Sequence, residues 1–209
     1  MLASNPSGQE SLLVARAQAG EIESFETLVS LYDRRIYQIA HRIVGNPQDA
    51  EDVLQETFLK AFENLDRFRG DSSFYTWIVQ IAVNAALQRE TKRRKRRMVS
   101  LDDSSQDDAD FRPKEIAVWE EDPERLYSQK ETGAILEKAI ASLPVIYRTV
   151  FLLKDVEGLP VEAIARTLGI SLGAAKSRLI RGRLELREHL SKYFKKKGAP
   201  VYSAEHQHH

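Results

Sequence analysis

Cysteine is absent from all 209 residues. That excludes disulfides and thiolate zinc sites, and it fits a reducing cytoplasm. Long apolar runs are absent too: nothing approaches the roughly 18 residues a transmembrane helix needs. The first residues, MLASNPSGQESLL, lack the charged-then-apolar order of a signal peptide. No internal repeat is visible, and no Gly-rich phosphate loop follows a strand. No Ser/His/Asp or Cys/His set is available for nucleophilic catalysis. Neither an enzyme, nor a cofactor, nor a small-molecule substrate is therefore expected. Net charge is missing as well, because 31 basic and 31 acidic residues cancel.

The cancellation hides strong local fields, and local fields are what a polyanion meets. Residues 89–97 hold seven cations (Arg89, Lys92, Arg93, Arg94, Lys95, Arg96, Arg97) against the single acid Glu90. Residues 102–124 hold ten acids against Arg112 and Lys114. Just ahead of the basic block lies FRGDSSFYTWIVQIAVNAA, where Phe74, Tyr75 and Trp77 sit close to Phe68. Aromatic faces suit unstacked bases, and rows of Lys and Arg suit the phosphates that accompany them. The combination points to a protein that opens DNA as well as docking on it.

Nearly the whole chain carries helical periodicity. Residues 21–44 place Phe25, Leu28, Val29, Tyr32, Ile36, Ile39, Ala40 and Ile43 on one stripe. Gly45 ends that helix, and Asn46-Pro47 supply an N-cap and a first-turn proline for the next. Its stripe is Ala50, Val53, Leu54, Thr57/Phe58, Ala61/Phe62 and Leu65. Ser72 or Ser73 can cap a third long helix, whose stripe is Phe74, Trp77/Ile78, Ile81/Ala82 and Ala85. A short helix near residues 9–19 precedes them. Residues 1–97 thus read as one helical domain. Residues 98–122, acidic and broken by Pro113, read as a flexible linker.

A second helical domain is expected over 123–197, with residues 198–209 as a disordered tail. Within it, helices stop at Pro144 and run over 145–156. Pro160 starts a short helix, Gly169 permits a tight turn, and Ser171 caps the last helix. This is the length, turn and core pattern of a helix-turn-helix. The fold class is all-α: two small helical domains joined by an acidic linker, the second carrying the helix-turn-helix.

Three constellations stand out. On the last helix, Gly173, Lys176, Ser177, Ile180 and Arg181 share a face, while Leu172, Ala175, Leu179 and Leu186 should pack inward. Lys and Arg can bond guanine edges, Ser177 a base or phosphate, and Arg178 and Arg183 the backbone phosphates. The bland alternative is a solvated basic face. Second, Asp49, Glu51, Asp52 and Glu56 cluster at a helix start. Such carboxylates can hold a divalent metal for a nuclease, but a helix dipole favours them there anyway. Asp52, Gln55, Glu56 and Leu59 line one side and read better as a protein-docking face. Third, Phe74 and Trp77 have the spacing of core residues, whereas Phe68, Ser72 and Tyr75 lie at a turn where exposure is easier. His206, His208 and His209 form a weak metal signal in the tail.

DAEDVLQETFLKAF at 49–62, the 68–86 stretch quoted above and EGLPVEAIARTLGISLGAAKSRLIRGR at 157–183 occur here in order, split by an acidic linker. Together they resemble the extracytoplasmic-function group of bacterial RNA polymerase sigma factors, over roughly residues 10–97 and 123–195. The resemblance implies several roles. Asp52, Gln55, Glu56 and Leu59 would meet the clamp helices of the largest subunit of core RNA polymerase. Phe68, Ser72, Phe74, Tyr75 and Trp77 would capture a flipped base of the non-template single strand at the −10 element. Asn84, Arg89, Lys92 and Arg93 would lie along that DNA. Gly173, Lys176, Ser177, Arg178, Ile180, Arg181 and Arg183 would engage the −35 duplex. The linker would thread polymerase channels as a polyanion mimic, and a dedicated anti-sigma factor is implied as a further partner. Ile180 and Lys176 depart from what base reading leads one to expect there, and the histidine tail is outside the family pattern. The rival reading from the same residues is a helix-turn-helix regulator with an N-terminal sensor domain and no role as a polymerase subunit.

Overall fold

The computed structural model describes the backbone of residues 8–101 and 129–196, and the side chains of 8–96 and 131–194. The linker and tail expectations fall almost entirely outside these residues. Four helices make the first domain: α1 (Gly8–Gln18), α2 (Ile22–Val44), α3 (Pro47–Glu63) and α4 (Phe74–Leu101), with a 3-10 turn at Leu65–Arg67. Four more make the second: α5 (Gln129–Ser142), α6 (Val145–Phe151), α7 (Val161–Leu168) and α8 (Leu172–Lys196). Between α6 and α7 the chain continues as a π-helical stretch, Leu152–Val156. Among the described residues no strand occurs.

The local signals act where the sequence places them. The Asn46 side chain accepts a hydrogen bond from the Asp49 N–H at 2.8 Å, with Pro47 in the first turn. Gly45 ends α2 at a φ of 75°, in the left-handed region that costs glycine nothing. Ser73, not Ser72, caps α4: its Oγ accepts from the Thr76 N–H at 3.1 Å. Ser171 caps α8 through the Ala174 N–H at 3.1 Å. The expected end of the first domain, residue 97, is passed by four residues, because α4 continues to Leu101. The helix has no Gly or Pro there to stop it.

In the first domain α2, α3 and α4 pack mutually, and α1 lies across α2. Leu28, Ile36, Ile39, Ile43, Val53, Phe74 and Ile78 are buried at its centre. Beyond the expected stripe α4 also buries Val79, Val83 and Ala86, because α2 and α3 both cover it. In the second domain α8 is the spine, crossed by α5, α6 and α7. Gly182 marks the crossing with α6: a methyl group there would meet the Tyr147 backbone oxygen at 3.3 Å. The two domains also touch, α4 against α7 and α2 against α6. Their buried side chains join in a single apolar cluster.

Candidate nucleic-acid interface

The acidic face of α3 is organised from outside the helix. Arg89 on α4 donates from Nη1 to Asp52 Oδ2 at 2.8 Å. The same guanidinium lies 3.6 Å from Asp49 and 3.8 Å from Glu56. Glu56 also pairs with Lys60, four residues on, at 2.6 Å. Gln55 and Leu59 point to water, Leu59 with 59% of its surface exposed. Arg89 therefore stands among the α3 carboxylates, where a cation satisfies charges crowded at a helix start. Among the described residues no group of three His, Cys, Asp or Glu side chains is arranged to hold a metal.

The aromatics gather at the start of α4. Phe68 and Trp77 rings lie 5.0 Å apart, Phe68 and Phe74 5.9 Å, and Phe74 and Trp77 5.7 Å. Phe74 is the core member, 1% exposed. It holds the cluster from beneath and offers no face to a base. Phe68, Ser72, Tyr75 and Trp77 are half-buried and ring it. Tyr32 from α2 packs on Tyr75 at 5.3 Å, and its hydroxyl donates to Glu10. Arg35 places its guanidinium 3.9 Å above the Tyr75 ring, a cation–π contact. The Tyr75 hydroxyl donates to Glu157 of the second domain. Burial first, then the neighbouring carboxylate, push the Tyr75 phenol well above the usual tyrosine range; Tyr32 is raised in the same way beside Glu10.

Beyond this cluster Asn84 and Lys92 are exposed on α4, with Arg94, Lys95 and Arg96. Arg93 is paired with Glu90 at 2.9 Å. The described part of the basic block is thus divided: Arg89 faces the α3 acids, Arg93 is paired with Glu90, and Lys92, Arg94, Lys95 and Arg96 are exposed.

The face of α8 expected to meet DNA is set by a single buried stripe. Ala175, Leu179, Gly182 and Leu186 are buried at spacings of four, three and four. That stripe turns Gly173, Lys176, Ser177, Ile180 and Arg181 outward, and all five are exposed. Leu172 departs from the expected inward set: it is 39% exposed at the first helical position, one turn before burial begins at Ala175. Arg178 is half-buried. Arg183 is held in a two-bonded pair with Asp155, at 2.9 and 2.6 Å. Arg181 reaches the Tyr147 hydroxyl at 3.4 Å.

Comparison with known proteins matches these two halves separately. Residues 28–97 match Sigma-70 region 2, and residues 133–186 match Sigma-70 region 4. The RNA polymerase sigma-H factor of Pseudomonas aeruginosa is 38% identical over 84% of this chain and 90% of its own. The ECF RNA polymerase sigma factor SigE of Mycolicibacterium smegmatis is 36% identical over 86% of this chain and 66% of its own. The chain belongs to the extracytoplasmic-function sigma factors. Among solved structures, the sigma factor RpoE in complex with the anti-sigma factor NepR from Bartonella quintana shares the fold. Its TM-score is 0.59 at 22% identity, over 81% of this chain and 98% of that one.

In this sigma factor the region 2 match begins at residue 28, yet α1 contributes to the site. Gln18 Nε2 donates to the carbonyls of Leu65 and Phe68, both at 2.9 Å, and so pins the turn carrying Phe68. Sequence reasoning passed over Gln18, Arg35, Glu157 and Gly182. Gln18 and Glu157 carry no local signature, since their partners lie 47 to 122 residues away. Gly182 had one: a glycine inside a strongly helical pattern marks a close approach.

Proposed function

We propose that this sigma factor, which binds core RNA polymerase and directs promoter recognition and melting, divides the work among three surfaces and performs no catalysis of its own. Asp52, Gln55, Glu56 and Leu59 dock on the clamp helices of the largest subunit, with Arg89 fixing the rotamers of the carboxylates. Phe68, Tyr75 and Trp77 take a flipped non-template base at the −10 element, with Ser72 at the rim and Phe74 as their floor. Asn84 and Lys92 follow the strand, and Arg93 joins them when DNA displaces Glu90. Gly173, Lys176, Ser177, Ile180 and Arg181 enter the −35 major groove, while Arg178 and Arg183 meet its phosphates. Gly173 allows close backbone approach, and Ile180 offers an apolar contact of the kind a thymine methyl accepts. An anti-sigma factor is the expected negative partner, since related folds are held by such proteins. Its setting is the cytoplasm, where the polymerase works; no described helix is long and apolar enough to cross a membrane.

The observation that carries this reading is the pairing of an aromatic cluster at the start of α4 with an outward basic face on α8. A duplex-only regulator needs the second and has no use for the first. Asp49, Asp52 and Glu56 of α3 already share the Arg89 guanidinium, which suits a docking face better than a nuclease centre. Purified core polymerase, a promoter library and this protein test it in one transcription assay. A discrete promoter class is expected with the intact chain. Asp52→Asn with Glu56→Gln should abolish transcription from every promoter, whereas Lys176→Ala should change which promoters respond. Equal activity without core polymerase docking would return the reading to a free-standing regulator.

A further inference from the structure

The contacts between the domains converge on the −10 candidate. Glu157 stands in the turn before α7, next to Gly158, whose φ of 74° bends the chain there. Its side chain is only 7% exposed. A carboxylate so placed must be paired, and both partners come from the other domain. Arg35 Nη2 donates to its Oε2 at 3.0 Å, and the Tyr75 hydroxyl donates to the same oxygen. Arg35 in turn covers the Tyr75 ring at 3.9 Å. Three side chains, from α2, α4 and the turn before α7, therefore close a triangle in which both the ring and the hydroxyl of Tyr75 are occupied.

Further contacts run along the same side of α2. Arg42, seven residues and two turns beyond Arg35, pairs with Glu137 of α5 at 3.1 and 2.5 Å. Arg148 of α6 donates to the Arg42 carbonyl at 3.1 Å. These polar contacts, set around a joined apolar cluster, are the composition of an interface that opens and closes.

We propose that Glu157 is an intramolecular latch: by binding Arg35 and Tyr75 it holds the second domain closed over the first in the free chain. If Tyr75 contacts the −10 base, as the function above supposes, the closed chain cannot admit that base, and release of Glu157 is a step in forming the active complex. The latch itself does not depend on that reading. A small free-energy bias suffices, because apparent affinity falls in proportion to the open fraction.

The absence of cysteine allows a direct test on the full chain. Fluorophores attached through Glu51→Cys and Arg187→Cys, both exposed and outside the proposed contacts, report the distance between domains. Glu157→Gln and, separately, Arg35→Met should each broaden the compact distance distribution and raise the open fraction by about threefold or more. The charge exchange Glu157→Arg with Arg35→Glu should restore the compact state, and circular dichroism should keep the same helical content throughout. An unchanged distance distribution in both single variants overturns the latch. Binding of a randomised single-stranded 12-mer pool is then measured on the same proteins. A rise of about threefold or more in Glu157→Gln, lost when Tyr75→Ala is added, supports the latch and its bearing on DNA. A larger open fraction with no rise in binding keeps the latch and removes Tyr75 from the −10 contacts.

Discussion

The two surfaces proposed to face DNA differ in how much of each is already engaged. On α8, Gly173, Lys176, Ser177, Ile180 and Arg181 are exposed, and only Arg181, on Tyr147, and the neighbouring Arg183, on Asp155, are bonded. Around α4, Phe74 is core, Arg89 is bound to acids, Arg93 is paired, and Tyr75 is held on both ring and hydroxyl. The α8 surface, proposed for a duplex that presents its edges at all times, is open to it. The α4 surface, proposed for a base that leaves its stack only during melting, has its side chains engaged within the protein. A rigid reader and a guarded pocket suit a stable ligand and a transient one respectively.

The sharpest way to break this contrast is to remove the floor of the pocket. Phe74→Ala should destabilise the first domain by about 3–5 kcal/mol, seen as a lower urea midpoint, because a fully buried ring leaves a cavity. If Phe74 instead acts as an exposed base contact, stability will barely change while promoter melting fails. Next comes the α6–α8 crossing. Gly182→Leu should cost about 1–3 kcal/mol through overpacking on Tyr147, and should cut −35 binding without touching any reader residue. A smaller effect separates two neighbouring cations. Arg89→Ala should weaken core polymerase binding several-fold and leave the salt dependence of DNA binding unchanged. Lys92→Ala should lower the slope of log affinity against log salt by about one unit. Identical behaviour of the two variants would erase the division of the basic block.

The smallest effect is a titration. The Tyr75 phenol is raised in the folded chain, so its neutral form is stabilised by folding. That stabilisation is complete below the ordinary tyrosine pKa of about 10 and is lost as pH rises through the higher folded value. A difference titration at 295 nm between the intact chain and Tyr75→Phe should therefore contain a component above the ordinary phenol range. A component at the ordinary position would mean that Tyr75 is open to water and Glu157 is elsewhere.

Much of the fold could be read directly. Asn46-Pro47, Gly45, Gly169 and Ser171 act within three or four residues of themselves, so their effects are written locally. The outward face of α8 was equally legible, because one inward stripe at helical spacing leaves the opposite side exposed. Arg89 was not: it lies in a run of seven cations, and its sequence neighbours gave no sign that the α3 acids would claim it. The spacing of Phe74 already pointed to the core, and only the family resemblance set it beside Tyr75 as a base contact; neighbours on a helix point about 100° apart. One went into the core and the other to the rim.

What the sequence alone determined was most of the helices, the capped ends at Gly45, Asn46, Gly169 and Ser171, and the outward face of α8, since each depends on periodicity and on bonds closed within a turn. What only the tertiary structure decided was which charges pair with which. Arg89 with Asp52, Gln18 with the 65–68 turn, and Glu157 with Arg35 and Tyr75 all join residues 37 to 122 positions apart. Coulomb attraction and hydrogen bonding depend on distance in space, and a linear chain leaves that distance open until the helices pack.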